Sequence, residues 1–160
     1  MQKLLTIIFR ISKGLNNIAA VMLAFMILLT VADVILRSVR APIVGTYEIV
    51  GLLSAVLIGF SIPFTTWIRG HIRVDFFLMQ LSPKPRRIVN IAAKCLGIGL
   101  FLLIGLNLIV FGIDLAKAGE VTPTRHIPFY PVLYGIGASC LFECIVLFCD
   151  IAKILKGEYE

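Results

Sequence analysis

A chain of 160 residues that is 59% hydrophobic and only 15% charged is too apolar for an ordinary water-soluble enzyme, which would be nearer half apolar and a quarter charged. Its formal charge of +6 would suit nucleic acid in a soluble protein. Here the apolar residues fall in blocks of membrane-spanning length, so the basic residues read as loop asymmetry and contact with anionic lipid headgroups, and no nucleic-acid partner is expected.

Residues 1–14 place Leu4, Ile7, Ile8 and Ile11 on one helical face and Lys3, Arg10 and Lys13 elsewhere. This pattern predicts a short basic interfacial helix in the headgroup layer. The first apolar block follows over about 15–36, interrupted only by Asp33, with Arg37 and Arg40 after it. Its length and those trailing arginines exclude a cleaved signal peptide. Asp33 and Arg37 stand four residues apart and are expected to pair along the helix.

The second block, about 47–68, opens with Glu48, where a carboxylate suits a helix N-terminus. Gly51, Ala55 and Gly59 form a small-residue stripe that lets another backbone approach closely. Beyond it, Val74, Phe77, Leu78 and Leu81 share a helical face, which predicts a second interfacial segment over about 71–82. A Pro83-Lys84-Pro85 turn ends that segment.

The third block covers about 88–112, with Lys94 and Asn107 inside it, and the fourth about 129–152, with Glu143 and Asp150. Gly105 and Gly112, and then Gly135 and Ser139, supply further close-packing positions. At 1.5 Å per residue each block spans about 30 Å, the thickness of a bilayer core. The fold expected is an all-α membrane protein of four spanning helices in one membrane domain, without a soluble domain. Lys3, Arg10, Lys13, Arg69, Arg73, Lys84, Arg86, Arg87, Lys153 and Lys156 lie on one side, against Arg37, Arg40, Lys117 and Arg125 on the other. That excess puts both termini in the cytoplasm.

The chemistry-bearing residues are few. The cysteines (Cys95, Cys140, Cys144, Cys149) contain no C-x-x-C and sit within spans, where free thiols act as small apolar groups; a metal pair at Cys140 and Cys144 is the alternative. His71 and His126 fall on opposite membrane faces, too far apart to share one haem iron. No nucleotide-binding motif or catalytic constellation is present, so neither an enzymatic activity nor a cofactor is expected. Glu143 is the most costly residue in the chain, and its sequence offset predicts Lys94 as partner, with Arg87 meeting Asp150 two turns away.

Four stretches in order give the chain a resemblance to the small membrane (Q) subunit of tripartite ATP-independent periplasmic, or TRAP, transporters. These are Asp33-Val-Ile-Leu-Arg37, the Pro42, Gly45 and Glu48 that lead into the second helix, Trp67-Ile-Arg-Gly-His-Ile-Arg-Val-Asp75, and Thr122-Pro-Thr with Ile127-Pro128, Tyr134 and Gly137. Tyr47 departs from the pattern, as many members carry a second acidic residue there. The resemblance implies a non-catalytic subunit of the bacterial or archaeal inner membrane. It would scaffold a large many-helix M subunit that moves an organic acid with sodium, and help dock a periplasmic substrate-binding protein. On these motifs it marks Asp33, Arg37, Glu48, Arg69, His71, Arg73 and Asp75 as candidates for structure or partner contact. Lys117 and Arg125 join them as charges on the surface a periplasmic partner could reach. The alternatives are a self-sufficient proton-coupled exporter that uses Glu143, and a membrane anchor for a redox enzyme.

Overall fold

A computed structural model describes residues 2–68, 70 and 83–155. The interfacial segment expected over 71–82, with Arg69, His71, Arg73 and Asp75, lies outside the described residues. What is described is all-α. Its elements are α1 (Gln2–Ser38), α2 (Thr46–Trp67), α3 (Pro83–Ala118) and α4 (Tyr130–Leu155), each containing a stretch long and apolar enough to cross a membrane.

Two helices are longer than expected. The segment 1–14 is no separate helix: α1 runs unbroken for 37 residues, or about 55 Å. Its first turns pack on the end of α2, where the Phe9 ring lies 6.3 Å from Phe64 and 6.0 Å from Trp67. Phe9 lies on the other side of the helix from Leu4, Ile7 and Ile11, and Ile7 and Ile11 remain exposed. Likewise α3 begins at Pro83 rather than near residue 88, because proline suits the first turn of a helix.

The helices pack as α1 on α2, α2 on α4, and α4 on α3. This is a row with α1 and α3 at its edges, not a closed four-helix bundle. α4, second from one edge, is the best buried, with Ser139, Glu143, Val146, Leu147 and Asp150 turned inward. α1 and α3 present long apolar faces outward, including Phe25, Leu28 and Ile35 on the one and Leu96, Leu103 and Val110 on the other. We call the end that carries the start of α1 and the end of α4 proximal and the end that carries the α1–α2 and α3–α4 connections distal.

Candidate functional site

Between α2 and α4 runs a polar seam. Pro63 has no amide hydrogen, so the carbonyl of Gly59, four residues earlier, loses its helical donor. Ser139 on α4 supplies the replacement, its Oγ donating to Gly59 O at 2.7 Å. One turn toward the proximal end, Thr66 Oγ1 and Glu143 Oε1 are hydrogen-bonded at 2.6 Å. Glu143 is fully buried, and its Oε2 has no hydrogen-bond partner among the described residues. Gly59, Pro63 and Thr66 are the buried residues of α2, one face at helical spacing.

The proximal cluster corrects the predicted pairing. Lys94 Nζ meets Asp150 Oδ2 at 2.6 Å, not Glu143. Arg87 donates to the Leu155 carbonyl at 2.8 Å, not to Asp150. Each basic residue thus finds its partner five to seven residues further along α4 than the expected register. The reason is packing. A Cβ on Gly105 would stand 3.2 Å from the Gly137 carbonyl oxygen, and one on Gly137 equally close to that of Gly105. That close backbone crossing fixes how α3 and α4 align. Asp150 also lies 3.9 Å from Lys153, whose ammonium sits 3.9 Å above the Trp67 ring centroid. Trp67 in turn touches Phe9, so one chain of contacts reaches all four helices.

At the distal end the carboxylates hold loops. Asp33 Oδ1 accepts the Ile43 amide at 2.9 Å while its Oδ2 takes Arg37 at 2.7 Å, the expected i, i+4 pair. Glu48 accepts the amides of Thr124 at 2.8 Å and Arg125 at 3.1 Å. It does not pair with Arg37 or Arg40, the partners its charge suggests. The segment it grips is a tight turn closed by mutual bonds between Thr122 and Ile127. Arg125 reaches back and its Nε donates to Val44 O at 2.8 Å. The arginine stem crosses Gly45, where φ is +83° and a Cβ would come within 2.6 Å of Arg125 Cγ. Only glycine suits that position. Glu48 and Arg125 therefore knit the two distal connections into one platform. Lys117, in the last turn of α3, is exposed beside it.

The small-residue stripe on α2 divides in two. Gly59 packs inside the row, where a Cβ would clash with Ile136 at 2.9 Å. A Cβ on Gly51 would meet nothing within 4 Å. Gly51 and Ala55 instead line an apolar groove of about 430 Å³ at the distal end. It is lined by residues of α2 and α3, by Leu133 and Ile136 of α4, and by Thr122 and Pro123 of the distal turn. Sequence reasoning named Ser139 only as a close-packing position, without its bond to Gly59, and missed Thr66 and this groove. The signal for Ser139 is Pro63, four residues after Gly59; nothing local marks Thr66.

His126 lies in the distal turn with φ at +54°, and among the described residues no three His, Cys, Asp or Glu side chains gather as metal ligands. The buried acids, the glycine crossing and the four apolar spans organise packing between helices and between loops. No curated protein and no solved structure matches the chain. Residues 26–157, from the second half of α1 to just beyond α4, match the family described as Tripartite ATP-independent periplasmic transporters, DctQ component. With four spanning helices under most of that match, the chain belongs to the DctQ family, the small, non-enzymatic membrane component of TRAP transporters.

Proposed function

We propose that this subunit is a scaffold of a sodium-coupled TRAP transporter in the inner membrane, with both termini cytoplasmic and the distal platform facing the periplasm. The observation that carries this reading is the open row. Among the described residues α1 and α3 each have one packed neighbour of substance, and their outward faces hold side chains such as Leu28, 68% exposed, and Leu96, 76% exposed. A row with two apolar edges is suited to extending the surface of a larger membrane partner, here the M subunit that carries the organic acid. The platform held by Glu48 and Arg125, with Lys117 beside it, is suited to receiving the periplasmic binding protein, where exposed charges govern encounter more than final affinity. The basic residues of the proximal end and the adjoining connection, Arg69 and Arg73 among them, favour the cytoplasmic headgroup layer.

Co-expression with the large subunit tests the scaffold. Cysteine pairs that join Leu28 or Leu96 positions to the large subunit should cross-link, and reversal of Lys117 should slow transport only at limiting binding protein. Purification as a homodimer that transports by itself would overturn the proposal. The unpartnered Oε2 of Glu143 supports a second reading, in which this carboxyl group exchanges a coupling ion. Glu143→Gln would then assemble normally and abolish transport, whereas a structural Glu143 predicts that assembly and transport fall together.

A further inference from the structure

We propose that the distal groove is a binding site for one acyl chain of a membrane phospholipid, with the lipid phosphate held at the groove mouth by Arg125. This goes beyond the scaffold reading and does not depend on any partner subunit.

The lining selects for hydrocarbon. Of the polar groups at its edge, Glu48 spends both carboxylate oxygens on the Thr124 and Arg125 amides. Thr122 spends its amide, carbonyl and hydroxyl within the distal turn. An occupant therefore meets satisfied polar atoms and the side chains of Leu52, Ala55, Phe111, Leu133 and Ile136. Apart from the Tyr47 hydroxyl, the side chains that line the groove offer a polar ligand little, and an apolar one needs no hydrogen bond there.

The membrane supplies such a ligand at this depth. Tyr47, 92% exposed, and Tyr130 stand at the distal end, and Trp67 at the proximal end of α2. Tyrosine and tryptophan favour the two headgroup levels, and the twenty residues from Tyr47 to Trp67 rise about 30 Å, one hydrocarbon thickness. The groove starts beside Tyr47, so it lies directly beneath the headgroups of one leaflet. Arg125 is not itself in the lining, but its amide is bonded to Glu48 of the lining, its stem is fixed across Gly45 and its side chain is exposed, and a guanidinium suits a phosphodiester. A spanning helix of a partner is the other occupant of similar chemistry. It would have to continue past the groove to the distal surface, alongside Thr122 and Pro123 of the lining. An acyl chain ends within the bilayer and has no such need.

Native mass spectrometry of the chain released from nanodiscs of phosphatidylethanolamine and phosphatidylglycerol tests the site. The wild-type protein should retain one phospholipid. Gly51→Leu, whose Cβ would meet nothing within 4 Å and whose branched end would fill groove space, should lose it, while Gly51→Ala keeps it. Arg125→Gln should weaken retention without abolishing it. A second measurement needs no variant: phospholipid with a photoreactive diazirine in its acyl chain should label Leu52, Ala55 and Phe111 above exposed α1 residues such as Leu28. Absence of retained lipid, equal retention in Gly51→Leu, or uniform labelling of all exposed apolar residues would overturn the proposal. So would a Gly51→Leu protein that keeps its lipid yet no longer binds the large subunit, since the groove would then receive protein.

Discussion

At the proximal end Asp150 binds side chains, Lys94 and Lys153, whereas at the distal end Asp33 and Glu48 bind backbone amides. The same chemical group does different work because the helices differ in what they leave unsatisfied. Inside a helix the amides already have their carbonyls, so a buried carboxylate must find side chains, as Asp150 does with Lys94 on α3 and Lys153 on its own helix. Where a helix gives way to a loop, amides come free and a carboxylate can cap several at once. Proximal acids therefore join helix to helix, and distal acids shape loops.

The largest effect should come from the proximal pair. Asp150→Ala removes the carboxylate 2.6 Å from Lys94, whose side chain is only 13% exposed, and breaking this buried pair should cost about 3–5 kcal/mol. Unfolding in mixed detergent and sodium dodecyl sulfate micelles would measure it. Exchanging the charges, Lys94→Asp with Asp150→Lys, should recover much of the loss, and Lys94→Glu with Glu143→Lys should not. Equal recovery by the second swap would return the pairing to the register read from sequence.

The seam between the two ends should show an intermediate effect. Ser139→Ala leaves the Gly59 carbonyl without a donor inside the row, worth about 1–3 kcal/mol. Pro63→Ala restores an amide to that carbonyl, so Ser139→Ala should cost much less in the Pro63→Ala background. If the two changes simply add, the serine acts by packing and not by replacing the lost helical bond.

Distal changes should be local. Glu48→Ala should speed hydrogen exchange at the Thr124 and Arg125 amides by about five- to tenfold, with little change in the global unfolding midpoint. A fall as deep as that of Asp150→Ala would erase the contrast between the ends. The smallest effect is expected at Arg37→Ala. Its side chain is 68% exposed and its ion pair screened, while Asp33 keeps the Ile43 amide, so the unfolding midpoint should barely move.

The four apolar blocks were legible because span length is set by the bilayer and not by the fold. Thr46–Trp67 lies within one residue at each end of the block read from sequence. Membership of a transporter family was legible for a similar reason, since its motifs sit at helix ends where loops need particular residues. Partnership across helices was not. The pairing of Lys94 depends on where Gly105 and Gly137 let two backbones cross, and sequence offsets say nothing about that register. The stripe at Gly51, Ala55 and Gly59 was visible as one feature, yet α4 covers only its proximal member. Nor did the four-block pattern distinguish an open row from a closed bundle, because a helix face turned to lipid is as apolar as one turned to protein.

The order of the row also sets a timetable for biosynthesis. α1 with α2, and α3 with α4, are neighbours in the chain and can form as hairpins while they enter the membrane. One of the contacts that join the hairpins, Thr66 with Glu143, spans 77 residues. At roughly 5–20 residues per second, Thr66 waits about 4–15 s for the carboxyl group that will meet it. Throughout that interval the carbonyl of Gly59 lacks the hydroxyl of Ser139. The first hairpin is thus an unfinished surface in the bilayer, and a force-sensing arrest peptide placed along the chain should register its completion only once α4 has emerged.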